Sequence, residues 1–166
     1  MKTNEKRLNF AIEQNKKMPK RGYKKGFNVF EGQGFGYEWD GEKYVHIYHT
    51  GALYIGDDVD IFTNVTIHRG TKESDKTIIG KGTKVDSGVI IAHNVKIGEH
   101  CLIHGNAVIC GSVEVGNKCI VNAGVVINRK YKIGNNVEIL PNSWVCSNIP
   151  DGEMWGGYPA KKIKTI

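Results

Sequence analysis

From residue 55 onward the apolar positions recur every sixth residue. Ile55, Ile61, Ile67, Ile79, Val85, Ile91, Ile97, Ile103, Ile109, Val115, Val121, Ile127, Ile133, Ile139 and Val145 share one phase, which is broken only at Glu73. Four residues after each comes a second inward candidate, mostly small or β-branched: Val59, Val65, Thr71, Thr77, Thr83, Val89, Val95, Cys101, Ala107, Val113, Cys119, Val125 and onward. A helix repeats its apolar face every 3.6 residues and a half-buried strand every two, so neither gives this spacing. A hexapeptide β-helix does, because short strands meet at turns and each sends a branched aliphatic residue inward.

A slower period supports the same fold. Gly80, Gly98, Gly116 and Gly134 lie 18 residues apart. Three hexads then make one triangular coil, and the glycine marks a corner that needs a permissive backbone. Gly56 is six residues out of this phase, and the segment "GTKESDK" (70–76) reads as a loop extruded from the coil. Residues 26–54 are rich in glycine and aromatics and suggest an irregular first coil with a hairpin at Asp40-Gly41. Thr3–Lys17 places Leu8, Ala11 and Ile12 on one face of a short amphipathic helix. The expected organisation is a basic N-terminal arm (1–30), a β-helix (31–160) and a C-terminal tail (161–166). Pro150, Gly152, Gly156, Gly157 and Pro159 close the solenoid, and "AKKIKTI" leaves it. The fold class is all-β, a single-stranded parallel β-helix with a helical or irregular N-terminal arm.

Composition narrows the function classes. With 166 residues, 40% hydrophobic and 24% charged, the chain reads as one folded domain. No apolar run approaches the roughly 20 residues of a membrane span, and a cytoplasmic location is expected. The formal charge of +6 hides an asymmetry: residues 1–25 hold nine bases and two acids, residues 26–166 fourteen bases and fifteen acids. The body is nearly neutral and has no nucleic-acid motif. The arm is better read as a subunit-packing helix, or as a dock for an acidic carrier protein or anionic substrate. Cys101, Cys110, Cys119 and Cys146 lack metal-ligand spacing and read as core thiols.

Four segments carry more specific information: "GFGYEWDGEKYVHI" (34–47), "IHRGT" (67–71), "IAHNVKIG" (91–98) and "CGSVEVG" (110–116). Together, in this order, they resemble the hexapeptide-repeat acyltransferases, and among them the UDP-3-O-acylglucosamine N-acyltransferases of the lipid A pathway. The resemblance covers residues 32–160. It implies a left-handed coil and a homotrimer with active sites between subunits, and it makes His93 the catalytic base. Residue chemistry agrees, since neutral imidazole suits proton removal from an attacking amine near pH 7. Gly111 lies one coil after His93, and its backbone N–H can hold the oxyanion of a tetrahedral intermediate. Asp86 is expected to orient or charge-balance the site or bind the acceptor amine. Asn94 is expected to hydrogen-bond substrate, although Asn also suits a turn. Phe35, Tyr37 and His68 complete the expected substrate contacts.

Two departures leave acceptor and acyl specificity open. The resembling enzymes carry a separate N-terminal uridine-recognising domain and a long C-terminal helical tail; this sequence has the basic arm and a short end. They also carry a second histidine 37 residues after the catalytic one, where this sequence has Lys130. The end, "NIPDGEMWGGYPAKKIK", resembles acetyl-CoA-dependent hexapeptide transferases. This makes Gly157, Tyr158, Pro159, Ala160, Lys161 and Lys162 candidates for the cofactor, with backbone amides and lysines meeting its phosphates. The remaining histidines raise a zinc-dependent γ-class carbonic anhydrase. His93, His100 and His104 are spaced seven and four apart, which matches that family poorly. His46, His49 and His100 read as surface residues.

The expected function is transfer of an acyl group, acetyl above all, from acetyl-CoA or acyl carrier protein to the amino group of a nucleotide-linked sugar. The chemistry requires no metal. O-acyl transfer on the same fold and a non-catalytic structural β-helix are the alternatives.

Overall fold

A computed structural model describes residues 28–166; the helix expected over residues 3–17 and most of the basic arm lie outside the described residues. The chain visits three parallel sheets in rotation. The first contains Val29–Gly32, Thr66–His68, Ile90–Ile91, Val108–Ile109, Val126–Ile127 and Trp144–Val145. The second contains Ala52–Ile55, Lys76–Ile79, Lys96–Ile97, Glu114–Val115 and Lys132–Ile133. The third runs from Asp60–Ile61 through Lys84–Val85, Leu102–Ile103, Ile120–Val121 and Glu138–Ile139 to Glu153–Gly157 and Ala160–Thr165. This is a parallel β-helix of triangular section, and the described residues contain no helix.

Register explains the phase slip in the sequence. Ile79 pairs with Ile97 and Val85 with Ile103, 18 residues apart. One coil earlier, Ile55 pairs with Ile79 and Ile61 with Val85, 24 apart. The six extra residues belong to the segment between Thr66–His68 and Lys76–Ile79, which leaves the coil as a loop. Thr71 therefore does not point into the core, unlike Thr77 and Thr83, which are fully buried.

The aliphatic sixth positions fill the interior. Ile67, Ile91, Ile109, Ile127, Ile139 and Val145 are all wholly buried. Each such side chain contributes on the order of 1.5–3 kcal/mol by leaving water. At one second-phase position the side chains also satisfy backbone carbonyls. Thr83 Oγ1 donates to Gly98 O (2.9 Å), Cys101 Sγ to Gly116 O (3.1 Å) and Cys119 Sγ to Gly134 O (3.0 Å). This is how polar atoms are tolerated in the core.

The corners correct one expectation. Every sixth residue from Gly82 to Asn142 has positive φ, including Asn94 (62°), His100 (55°), Ser112 (62°) and Lys130 (67°). The glycines 80, 98, 116 and 134 fall two residues earlier and do not have positive φ. A Cβ on Gly80 would lie 2.5 Å from the Gly98 carbonyl, so close stacking of coils selects glycine there, not backbone freedom.

Two further segments depart from the repeat. Residues 33–51 leave the first coil and carry an antiparallel hairpin, Tyr37–Trp39 with Tyr44–His46, whose turn is capped by Asp40 Oδ1 accepting from Glu42 and Lys43 N–H (2.9 Å each). The final segment does not leave the solenoid as expected. Ala160–Thr165 folds back antiparallel on Glu153–Gly157 and extends the third sheet. Buried Glu153 locks this end by accepting from Trp155 Nε1–H (2.7 Å) and pairing with Lys162.

Candidate functional site

His93 sits on the turn between the first and second sheets, half-buried, and one coil on, Ser112 N–H donates to its carbonyl (3.0 Å). Gly111 therefore lies directly against it. A Cβ there would come within 2.7 Å of His93 Nε2 and Cε1, so only glycine allows the ring this position. The Gly111 N–H has no acceptor among the described residues. One further coil along the same edge, Lys130 N–H donates to Gly111 O (3.0 Å), which places exposed Arg129 in the column below.

The opposite side of His93 is built by the extruded loop. Thr71 Oγ1 lies 3.1 Å from His93 Nδ1. Asn94 clasps this loop to the coil: its Oδ1 accepts from Thr71 N–H (2.8 Å), its Nδ2 donates to Asp75 Oδ2 (3.2 Å), and its own N–H donates to Thr77 Oγ1 (3.0 Å). The αL geometry of Asn94 lets one residue serve both the corner and the clasp.

The excursion of residues 33–51 supplies a third wall. The His49 ring stands edge-on to His93 with centroids 5.1 Å apart. His49 is buried, which corrects the expectation of a surface histidine. Its Nδ1–H donates to Ile47 O (3.0 Å), and Gln33 brackets its backbone, accepting from the N–H (2.7 Å) and donating to the carbonyl (3.2 Å). The buried His49 Nε2 has no hydrogen-bond partner among the described residues. Gly34 abuts the same ring closely enough to exclude a Cβ, which gives the "GFG" sequence a local reason.

These surroundings favour a neutral base. Burial pushes the His93 pKa below the ordinary histidine value. Charge on His49, His68 and Arg129 pushes it the same way, and Asp75 opposes them. His68 is likewise pushed down, by burial and then by His49. An imidazole that resists protonation keeps a lone pair available at neutral pH.

The structure brings His93, Gly111 and Asn94 together and places His68 in the same electrostatic neighbourhood. The other expected site residues lie elsewhere. Asp86 occupies the edge between the third and first sheets, where its Oδ1 accepts from Ser87 N–H (2.7 Å) and its Oδ2 from Gly105 N–H (3.1 Å). Phe35, almost fully exposed, and Tyr37 pack together on the excursion with ring centroids 5.0 Å apart. At the C-terminal end, Gly157 N–H donates to Ser143 Oγ (3.1 Å) and Tyr158 stacks on Trp144 (5.0 Å). Ala160 is buried, Lys161 is exposed beside Pro159, and Lys162 is held by Glu153. His93, His100 and His104 occupy three different edges of the coil. Sequence reasoning missed Thr71, His49 and Arg129. Thr71 was visible in "IHRGT" but was assigned to the core by phase; His49 carried no signal.

Two repeat families match this sequence, the bacterial transferase hexapeptide (six repeats) over residues 76–111 and the hexapeptide repeat of succinyl-transferase over residues 94–129. The chain carries bacterial transferase hexapeptide repeats. It is 38% identical over 132 residues to the UDP-3-O-acylglucosamine N-acyltransferase of Methylorubrum extorquens (strain PA1), covering 80% of this chain and 37% of that protein. The chain thus spans little more than a third of the length of the curated relatives it matches. Among solved structures, LpxA of Acinetobacter baumannii superposes with a TM-score of 0.73 at 25% identity, covering 84% of this chain and 52% of that one. A mutant perosamine N-acetyltransferase of Caulobacter crescentus, in complex with CoA and GDP-perosamine, gives 0.62 at 20% identity, covering 72% and 56%; that likeness is one of fold.

Proposed function

We propose that this chain is an acyltransferase that moves an acyl group from a thioester to the amino group of a nucleotide-linked sugar. The observation that carries the reading is the His93 ring lying against Gly111, with a free Gly111 N–H beside it. The acceptor nitrogen attacks the thioester carbonyl carbon while His93 Nε2 takes its proton. The carbonyl oxygen becomes an oxyanion held by Gly111 N–H. The tetrahedral intermediate collapses, the C–S bond breaks, and the imidazolium returns the proton to the departing sulfur. No residue is acylated.

The coil is left-handed in this reading and assembles as a trimer. The outer face of the first sheet carries the row Ile90, Val108, Val126 and Trp144, whereas the second carries the ion ladder Lys96–Glu114–Lys132. An apolar row on one face of a triangular prism suits closed threefold packing. His93 borders that face, so the site opens where a neighbour's Asp86 edge can approach. The loop 157–161 lies three coils along the axis from His93, roughly 14 Å at about 4.8 Å per coil, on the same edge as Asp86, which a neighbouring subunit would bring to the His93 site. That span suits an extended pantetheine arm, with Lys161 placed for phosphate. Acetyl-CoA is the proposed donor; acyl carrier protein delivers the same arm. The proposed setting is cytoplasmic.

Mass spectrometry of a nucleotide-amino-sugar panel incubated with acetyl-CoA, and separately with acyl carrier protein thioesters, tests this. N-acylated product from wild type and none from His93→Ala supports the reading. Equal product from both proteins would sink it, as would consumption of no thioester by either.

A further inference from the structure

We propose that Thr71 is a positioning residue for His93, its hydroxyl accepting the Nδ1–H of the imidazolium formed as the acceptor is deprotonated. The inference rests on the acyltransfer reading and deepens it. When His93 takes a proton at Nε2, both ring nitrogens carry hydrogen, and Nδ1–H needs an acceptor. The atom that faces Nδ1 is Thr71 Oγ1, at 3.1 Å. A neutral hydroxyl there differs from a carboxylate in kind. It orients the ring and accepts its hydrogen, but it adds no negative charge that would hold the resting imidazole protonated.

The hydroxyl is not placed by the repeat. By phase, Thr71 belongs inside the coil with Thr77 and Thr83. The six-residue insertion carries it out of the core and lays it over His93 instead. Its position is then fixed twice over. Thr71 N–H donates to Asn94 Oδ1, the side chain of the residue next to His93. Asp75, four residues on in the same loop, accepts from Asn94 Nδ2 (3.2 Å) and from Lys72 N–H (3.1 Å). The loop and the base are thus tied by one asparagine, and the Nδ1 contact pins the ring so that Nε2 faces Gly111. The charged and titratable groups around His93 are His49 on the excursion, His68 on the first sheet, Arg129 two coils along the edge and Asp75 in the loop. Thr71 changes none of their charges, so its loss isolates the hydrogen bond.

The test compares Thr71→Val, which keeps the shape and removes the hydroxyl, with Thr71→Ser, which restores it. In Thr71→Val, kcat falls about tenfold, the worth of one hydrogen bond, with KM unchanged. Thr71→Ser recovers most of the rate. Long-range proton–nitrogen NMR of the full chain labelled at histidine reads the same contact without activity. In Thr71→Val the His93 Nδ1 resonance moves and the ring titrates at lower pH, because the imidazolium has lost its acceptor. An unmoved Nδ1 resonance, or a loss in Thr71→Ser equal to that in Thr71→Val, would overturn the proposal. If wild type transfers no acyl group, the enzymatic reading fails, and the NMR comparison still decides the contact.

Discussion

The regular coils and the two insertions play opposite parts in this molecule. Between Thr77 and Val145 successive coils hold one another through parallel strands, the interior is mostly aliphatic with a few hydrogen-bonded Thr and Cys side chains, and one corner residue in six takes the same left-handed conformation. The excursion at 33–51 and the loop at 70–75 have no such repetition. The excursion exposes Phe35, Tyr44 and Tyr48 to solvent, and the side chain that meets His93 on the coil is His49. Yet the repeat supplies His93, Asn94, Gly111 and Arg129, and His68 on the first sheet, to the candidate site. Thr71, Asp75 and His49, which surround the proposed base and shape its charge environment, come from the insertions. Stability resides in the repeated part, and the chemistry is tuned where the repetition is broken.

This contrast can be broken first in the core. Ile109→Ala should cost about 2–5 kcal/mol of stability by opening a cavity in the stack, whereas Phe35→Ala should leave the denaturation midpoint within about 0.5 kcal/mol. Chemical denaturation of both variants checks this. A fragile excursion and an indifferent core would reverse the assignment.

The next effect separates fold from chemistry inside the repeat. Gly111→Ala puts a methyl group where the His93 ring stands, so kcat/KM should fall by about a hundredfold, comparable with loss of an oxyanion donor. The circular dichroism spectrum should not change.

A smaller effect distinguishes two equivalent corners. Asn94 and Asn142 both have positive φ, 62° and 56°, so replacing either by Ala should cost about 1–2 kcal/mol of backbone strain. Only Asn94 clasps the loop, so only Asn94→Ala should also lower kcat. Matching activities in the two variants would show that the loop does not position the base.

The smallest effect concerns charge alone. His93 is held below its ordinary pKa partly by Arg129, so Arg129→Ala should raise it. A general base works deprotonated, and the acid limb of the kcat/KM profile should therefore move to higher pH. Arg129→Lys should leave it in place. A limb that moves down would mean that the titrating group is a different one.

Much of the scaffold was legible because a hexad repeats its instruction many times. Each Ile or Val on the sixth position specifies the same inward point, and one exception such as Glu73 marks the insertion that contains it. The register of 24 residues across that insertion was also readable, as the displacement of Gly56 from the glycine phase. Gly111 was legible against His93 because stacking turns a spacing of 18 into contact. The role of the glycine column was misread, since sequence shows that a side chain is missing but not whether φ or a neighbouring carbonyl excludes it. The end of the chain was misread too. "AKKIKTI" alternates weakly, and only the Glu153–Lys162 pair and an available sheet edge make it a strand.

The sequence by itself determined the period, the coil length, the position of the loop at 70–76 and the pairing of His93 with Gly111, because each follows from counting along a repeat. The tertiary structure alone decided what the insertions do. Thr71 and Asn94 are 23 residues apart and His49 and His93 are 44 apart, and no period relates them. Irregular chain folds back wherever its own hydrogen bonds and packing allow, so its contacts with the base exist only in three dimensions.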